Sequence, residues 1–156
     1  MPRGVRRFSL LSGVALCAVL GGPIAAAQAS DNTLKQTLNN FAPKIVKDEN
    51  AVTKGLHEYP QGKVRPLTRA LKHEVGDLHT LKSRLSHESA STASGAKAKK
   101  DIIKGLGLIA SAYGTLRKDV LAANGGPVPA AQVTAAVNTD KKGRKKFLAG
   151  LKLLGA

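Results

Sequence analysis

The chain has 156 residues and carries 25 Lys and Arg against 10 Asp and Glu, a formal net charge of +15. Its single cysteine, Cys17, excludes an internal disulfide and any site built from several thiolates. The length suits one domain with one hydrophobic core.

Residues 1–29 have the pattern of an export signal. The segment begins with three basic residues, Arg3, Arg6 and Arg7. An apolar core follows, Phe8–Leu20, which is too short to span a bilayer comfortably. It ends with a small-x-small cleavage pattern, Ala27-Gln28-Ala29. This leader resembles bacterial signal peptides. It predicts cleavage, a mature chain beginning at Ser30, and a secreted or cell-envelope location. A cut after Ala27 fits as well, and the export route, general secretory or twin-arginine, stays open.

Residues 30–156 are predicted to form a single domain without cysteine. They hold 22 basic and 10 acidic side chains, a net charge of +12. Such an excess favours anionic partners, here cell-wall polymers or phospholipid headgroups. No segment of this part is apolar enough to cross a membrane.

The first segment after the leader carries an apolar stripe at helical spacing from Leu34 to Leu56. The stripe keeps its phase across Pro43, which predicts one kinked helix with Pro43 facing solvent. Ser30 or Asp31 is the predicted cap of its start. The composition of residues 59–62 (YPQG) predicts the turn that ends it.

A second helix is predicted to begin near Pro66, whose fixed φ suits a first helical position. It ends before a small, polar connection, Ser86–Gly95. A third helix is predicted from Lys97 to Ala123, ended by Asn124-Gly125-Gly126. On one flank of this helix, Gly107, Ser111 and Gly114 line up. They indicate either the close approach of a neighbouring helix or a groove that admits a ligand.

The fourth segment opens at residues 127–129 (PVP) and carries its apolar residues from Val133 to Leu154 on one side. Asp140 and Arg144 share that side. Either they pair at the edge of the core, or the helix breaks near Thr139 and restarts, with Gly143 a weak point in both cases. Four amphipathic segments with short connections predict an all-α fold, a small antiparallel four-helix bundle preceded by a cleavable signal peptide.

Residues 73–77 (HEVGD) approach the zinc-protease motif HExxH, but Asp77 stands where the second histidine is required. We interpret His73 and Asp77 as a solvated pair without metal. The sequence holds neither a nucleophile elbow nor a phosphate-binding glycine loop. It therefore predicts no enzyme activity, no metal and no cofactor.

The C-terminal segment combines basic and bulky apolar residues. The basic ones are the predicted polyanion-binding residues: Lys141, Lys142, Arg144, Lys145, Lys146 and Lys152. This pattern suits a packed terminal helix with a charged outer face. The alternative function is a membrane-active amphipathic segment, Lys141–Ala156. Aromatic residues are too few for base-stacking platforms, so specific nucleic-acid binding is not expected.

Overall fold

A computed structural model describes residues 29–155. The predicted signal peptide, with Cys17 and the cleavage pattern, lies outside the described residues except for Ala29. The described chain is all-helical, as predicted, and contains no β-strand between residues 29 and 155. Its four α-helices are α1 (Ala29–Glu58), α2 (Val64–His87), α3 (Ala93–Ala123) and α4 (Ala130–Leu154).

The helix boundaries follow the sequence signals to within a few residues. Helix α1 is continuous across the exposed Pro43, and a short 3₁₀ turn ended by Gly62 at φ 79° follows it. Helix α3 begins four residues before the predicted Lys97, because the side chain of Thr92 accepts a hydrogen bond from the Gly95 N–H at 2.8 Å and caps the helix there. The left-handed residue that ends α3 is Asn124, at φ 44°.

Asp31 has a different role from the predicted helix cap. It lies inside α1 and is buried. Its carboxylate accepts hydrogen bonds from the Ser91 N–H at 3.0 Å and from the Thr92 hydroxyl at 2.6 Å. These bonds lower the pKa of Asp31, that from the Thr92 hydroxyl most strongly, although burial opposes the change. These hydrogen bonds therefore hold the α2–α3 connection against the start of α1.

The apolar stripes of the four helices pack into one core. The least exposed apolar side chains come from every helix: Leu34, Ile45, Leu67, Leu71, Leu78, Leu85, Ile102, Leu106, Leu116, Val120 and Leu151. The apolar residues of the C-terminal segment belong to this core, since Phe147, Leu151 and Leu154 are all buried. Burying such stripes supplies most of the stability of helices that are marginal alone. Between residues 29 and 155 no helix has the length and hydropathy needed to span a bilayer.

Hydrogen bonds between helix ends show how neighbouring helices are arranged. The Ser94 hydroxyl, at the start of α3, donates to the Leu153 carbonyl at the end of α4, at 3.1 Å. The Thr37 hydroxyl near the start of α1 donates to the carboxylate of Glu88, just after α2, at 3.0 Å. In each of these two pairs, α3 with α4 and α1 with α2, the start of one helix thus meets the end of the other.

Helices α3 and α4 approach each other closely at glycines. A Cβ atom built on Gly105 would lie 2.6 Å from the backbone nitrogen of Phe147 and 2.7 Å from the carbonyl oxygen of Gly143. Gly143 is therefore a packing position in a continuous helix, and the predicted weak point there is wrong. On the other flank of α3, Gly114 has open space around it and a Cβ on Gly107 would meet only the Lys82 side chain. Of the two alternatives for this flank, the structure therefore has a groove at Gly107 and no close helix contact at Gly114.

Candidate functional site

Five of the six predicted polyanion-binding residues lie on the outer face of α4. Lys141, Lys142, Lys145, Lys146 and Lys152 are exposed, because the helix period places them opposite the buried stripe. The ammonium of Lys146 lies 3.5 Å from the carboxylate of Asp101 on α3, and the other four lysines are not in an ion pair within the described residues.

The helix period places Arg144 on the inner face of α4, away from these lysines. Its side chain is 13 % exposed and points into the core. Its guanidinium donates to the carboxylate of Asp140 at 2.8 Å, to that of Glu49 at 3.0 Å and to the Tyr113 hydroxyl at 2.9 Å. The predicted pairing of Asp140 with Arg144 is confirmed, and α4 does not break. Because its Nε and Nη2 donate inside the protein and its Nη1 is also buried, Arg144 does not belong to the candidate surface.

These bonds belong to a buried polar centre that all four helices build. We define the polar centre as Glu49 of α1, Glu74 of α2, Tyr113 of α3, and Asp140 and Arg144 of α4. Burial lowers the pKa of Arg144, but the phenol and the carboxylates around it outweigh burial and raise it. The guanidinium therefore stays charged and offsets the two carboxylates that it contacts.

Glu74 is the most deeply buried acid of the polar centre, with 1 % of its surface exposed. Neither of its carboxyl oxygens has a hydrogen-bond partner among the described residues. Burial first, and then the negative charges of Glu49 and Asp48, raise its pKa to about 9. Glu74 is therefore protonated and neutral at pH 7.

Helical phase could have located both glutamates of the centre from the sequence. Glu49 falls four residues after Ile45 and three before Val52, and all three lie on the inner face of α1. Glu74 occupies the equivalent place between Leu71 and Leu78. An acidic residue at a position of the apolar stripe is the sequence signal for a buried carboxyl group. The resemblance to HExxH concerns the neighbouring residues His73 and Asp77 and does not reveal this burial.

Replacing Glu74 with glutamine is expected to remove part of the pH dependence of stability. Between its ordinary pKa of 4.5 and about 9, the folded protein holds a proton on Glu74 that the unfolded chain releases. The free energy of unfolding of the native protein therefore falls as pH rises, by up to about 1.4 kcal/mol per pH unit from this group. Because glutamine mimics the neutral acid and does not titrate, urea denaturation of both proteins between about pH 6 and pH 8 should show the stability of the native protein falling further below that of Glu74→Gln as pH rises. Parallel curves would show that Glu74 is already ionised.

In the HExxH-like stretch, His73 is exposed, whereas Asp77 is half-buried and contacts the ammonium of Lys44 at 2.6 Å. His73 also acts electrostatically on Asp77, so Asp77 interacts with both side chains and is less solvated than interpreted. Burial and the neighbouring Asp77 raise the pKa of Asp48 to about 6. Within residues 29–155 no group of three His, Cys, Asp or Glu side chains is placed to hold a metal ion.

Charge is distributed unevenly between the interior and the exterior of the protein. All ten acidic residues lie in the described range, and each of them is buried or half-buried. By contrast, 17 of the 22 Lys and Arg residues in this range are exposed. We call these 17 residues the basic exterior: Lys44, Lys47, Lys54, Lys63, Arg65, Arg69, Lys72, Arg84, Lys97, Lys100, Lys104, Lys118, Lys141, Lys142, Lys145, Lys146 and Lys152.

Comparisons with protein-family models, with curated protein sequences and with solved structures give no match for this chain.

Proposed function

We propose that this chain is an exported, non-enzymatic antiparallel four-helix bundle that binds anionic polymers of the cell envelope through its basic exterior. The export step rests on the leader pattern of residues 1–29, and the antiparallel arrangement is supported by the bonds between helix ends. Binding would be electrostatic and tolerant of polymer sequence, since lysine offers a mobile point charge rather than a shaped donor set.

The observation that carries this proposal is the absence of fully exposed acids from the described surface. At physiological ionic strength charges act over about 8 Å, so a lysine attracts a polymer most when no carboxylate lies close beside it. Several acids are engaged inside the fold, in the polar centre or in bonds to the helix connections. In the described structure three lysines of the basic exterior are in an ion pair, Lys44 with Asp77 and both Lys97 and Lys146 with Asp101. The local field of the other exposed lysines and arginines is therefore weakly opposed.

The C-terminal segment supports this proposal better than the membrane-active alternative. Its apolar residues Phe147, Leu151 and Leu154 are covered by the other helices, and of its leucines Leu153 alone is clearly exposed, at 37 %. Insertion of this segment into a bilayer would require it to leave the core. Binding to anionic phospholipid vesicles that survives high salt would favour such insertion over surface attraction.

The native protein is expected to bind a sulfated or phosphate-rich polymer column at low salt and to elute at moderate salt. Each phosphate that a lysine neutralises releases a counterion, so affinity falls steeply with salt. The triple change K141E/K142E/K145E should elute at clearly lower salt with an unchanged circular dichroism spectrum, because all three side chains are exposed. Passage of the native protein through the column at low salt would end the proposal.

A further inference from the structure

A groove between α2 and α3 has a different character from the rest of the basic exterior. Its volume is about 720 Å³, within the range of roughly 300–1,000 Å³ typical of ligand sites. Its floor is apolar and includes the half-buried Ile103 and Leu108, with Gly107 leaving space between them. Four lysines line it, Lys82 from α2 and Lys99, Lys100 and Lys104 from α3. No Asp or Glu lines it in the described structure.

The lysines of this groove are not matched by acids. Lys99 donates to the main-chain carbonyls of Ser86 and Glu88, which fixes its position at one end of the groove. Lys82, Lys100 and Lys104 make no ion pair within residues 29–155. Lys82 as a whole is half-buried, and its ammonium lies 3.5 Å from the position that a Cβ atom on Gly107 would occupy. An ammonium group beside an apolar floor is poorly solvated, so an anionic ligand would stabilise its charge there.

A second groove on the same molecule has a different lining, because acidic residues stand there beside the basic ones. The groove between α1 and α2, of about 470 Å³, contains Asp48 and Glu58 beside Lys47, Lys54 and Arg69. Its charges are largely balanced locally. The α2–α3 groove combines apolar floor and unbalanced positive charge, and this combination suits an amphiphile.

We propose that the α2–α3 groove binds a single-chain lipid with a phosphate headgroup. The apolar floor takes the acyl chain, and the three unpaired lysines match a phosphate monoester, which carries close to two negative charges, better than a carboxylate, which carries one. The open shape of the groove suits one chain lying along it. This inference goes beyond surface attraction because it names a discrete, saturable site.

The test measures binding of palmitoyl lysophosphatidate to the native protein by titration calorimetry, below the concentration at which the lipid forms micelles. One lipid per chain is expected. Palmitate, with the same chain and a carboxylate, and glycerol phosphate, with no chain, should each bind at least about tenfold more weakly, a difference that corresponds to about 1.4 kcal/mol. Absence of saturation, or equal affinity for either of these two compounds, would overturn the proposal.

Two glycines on the same flank of α3 give a matched pair of variants. Gly107→Leu places a side chain in the groove, where its Cβ meets only the flexible Lys82 side chain, so the fold should tolerate it. Gly114→Leu makes the same change seven residues later, in open space and outside the lining of the groove. Lipid affinity should fall at least about tenfold in the first and stay unchanged in the second. An equal response of both would contradict the assigned site.

Charge variants separate this proposal from polymer binding. K82Q/K104Q should weaken lysophosphatidate binding, whereas K142Q/K145Q, which removes the same charge from the outer face of α4, should leave it unchanged. The first pair removes one residue of the basic exterior and the second removes two, so K142Q/K145Q should reduce polymer retention more than K82Q/K104Q does. Equal lipid binding by all these proteins would overturn the groove site without affecting the polymer proposal.

Discussion

Replacing Gly105 with alanine is expected to lower the free energy of unfolding by about 3 kcal/mol, a value at the upper end of the usual cost of overpacking. The added methyl carbon would lie 2.6 Å from the Phe147 nitrogen and 2.7 Å from the Gly143 carbonyl oxygen. Both neighbours are backbone atoms, so the clash is relieved only if α3 and α4 move apart. Separation would in turn loosen Ile102, Ile109 and other side chains packed between them.

Gly114→Ala on the same helix is the matched control. No atom lies within 4 Å of a Cβ atom at this position, so the methyl group is accommodated without movement. Alanine should stabilise the helix by about 0.5–1 kcal/mol, because it restricts the unfolded chain more than glycine does. Urea denaturation followed by circular dichroism measures both changes. A Gly105→Ala protein as stable as the control would show that the α3–α4 contact is looser than described.

The helices themselves were readable from the sequence because apolar spacing records burial directly. The stripe through Leu34, Ile45 and Leu56 predicted α1, and all three are buried. The flank of α3 that meets α4 was not readable. Small residues line two flanks of that helix, at Gly105 and at Gly107 with Gly114, and local sequence does not decide which one faces a neighbour.

Some features of the candidate sites could also be predicted from local sequence, and others depend on how the helices pack. Exposure of the α4 lysines followed from helix periodicity, and so did the pairing of Asp140 with Arg144. A groove at Gly107 was one of the two alternatives that the sequence left open, but its lysine lining was not predicted, because Lys82 and Lys104 come from different helices and meet only through the α2–α3 packing. Likewise, none of the ten acids is fully exposed, and this depends on tertiary contacts that the sequence does not reveal. The net charge, by contrast, is read directly from the sequence.

Replacing Arg144 with methionine is expected to lower the free energy of unfolding by about 3–5 kcal/mol at pH 7. Methionine fills a similar volume but leaves Asp140, which is 3 % exposed, and Glu49 without their counter-ion. Burial already raises the pKa of Glu49, although Arg144 opposes this, so loss of the guanidinium should raise it further. Lys145→Met removes the same charge from an exposed neighbour and should change stability by less than about 0.5 kcal/mol.

Neutralising the acids should restore much of this loss. In the triple variant E49Q/D140N/R144M no full charge remains among these three positions, and the cost falls to that of imperfectly bonded amides. The predicted order of stability is therefore native protein, triple variant, then Arg144→Met alone. If the single variant were as stable as the triple, the carboxylates would not depend on Arg144, and the polar centre would be a set of independent groups. The expected rescue instead makes Arg144 the charge that permits two carboxylates, Glu49 of α1 and Asp140 of α4, to lie together in the core.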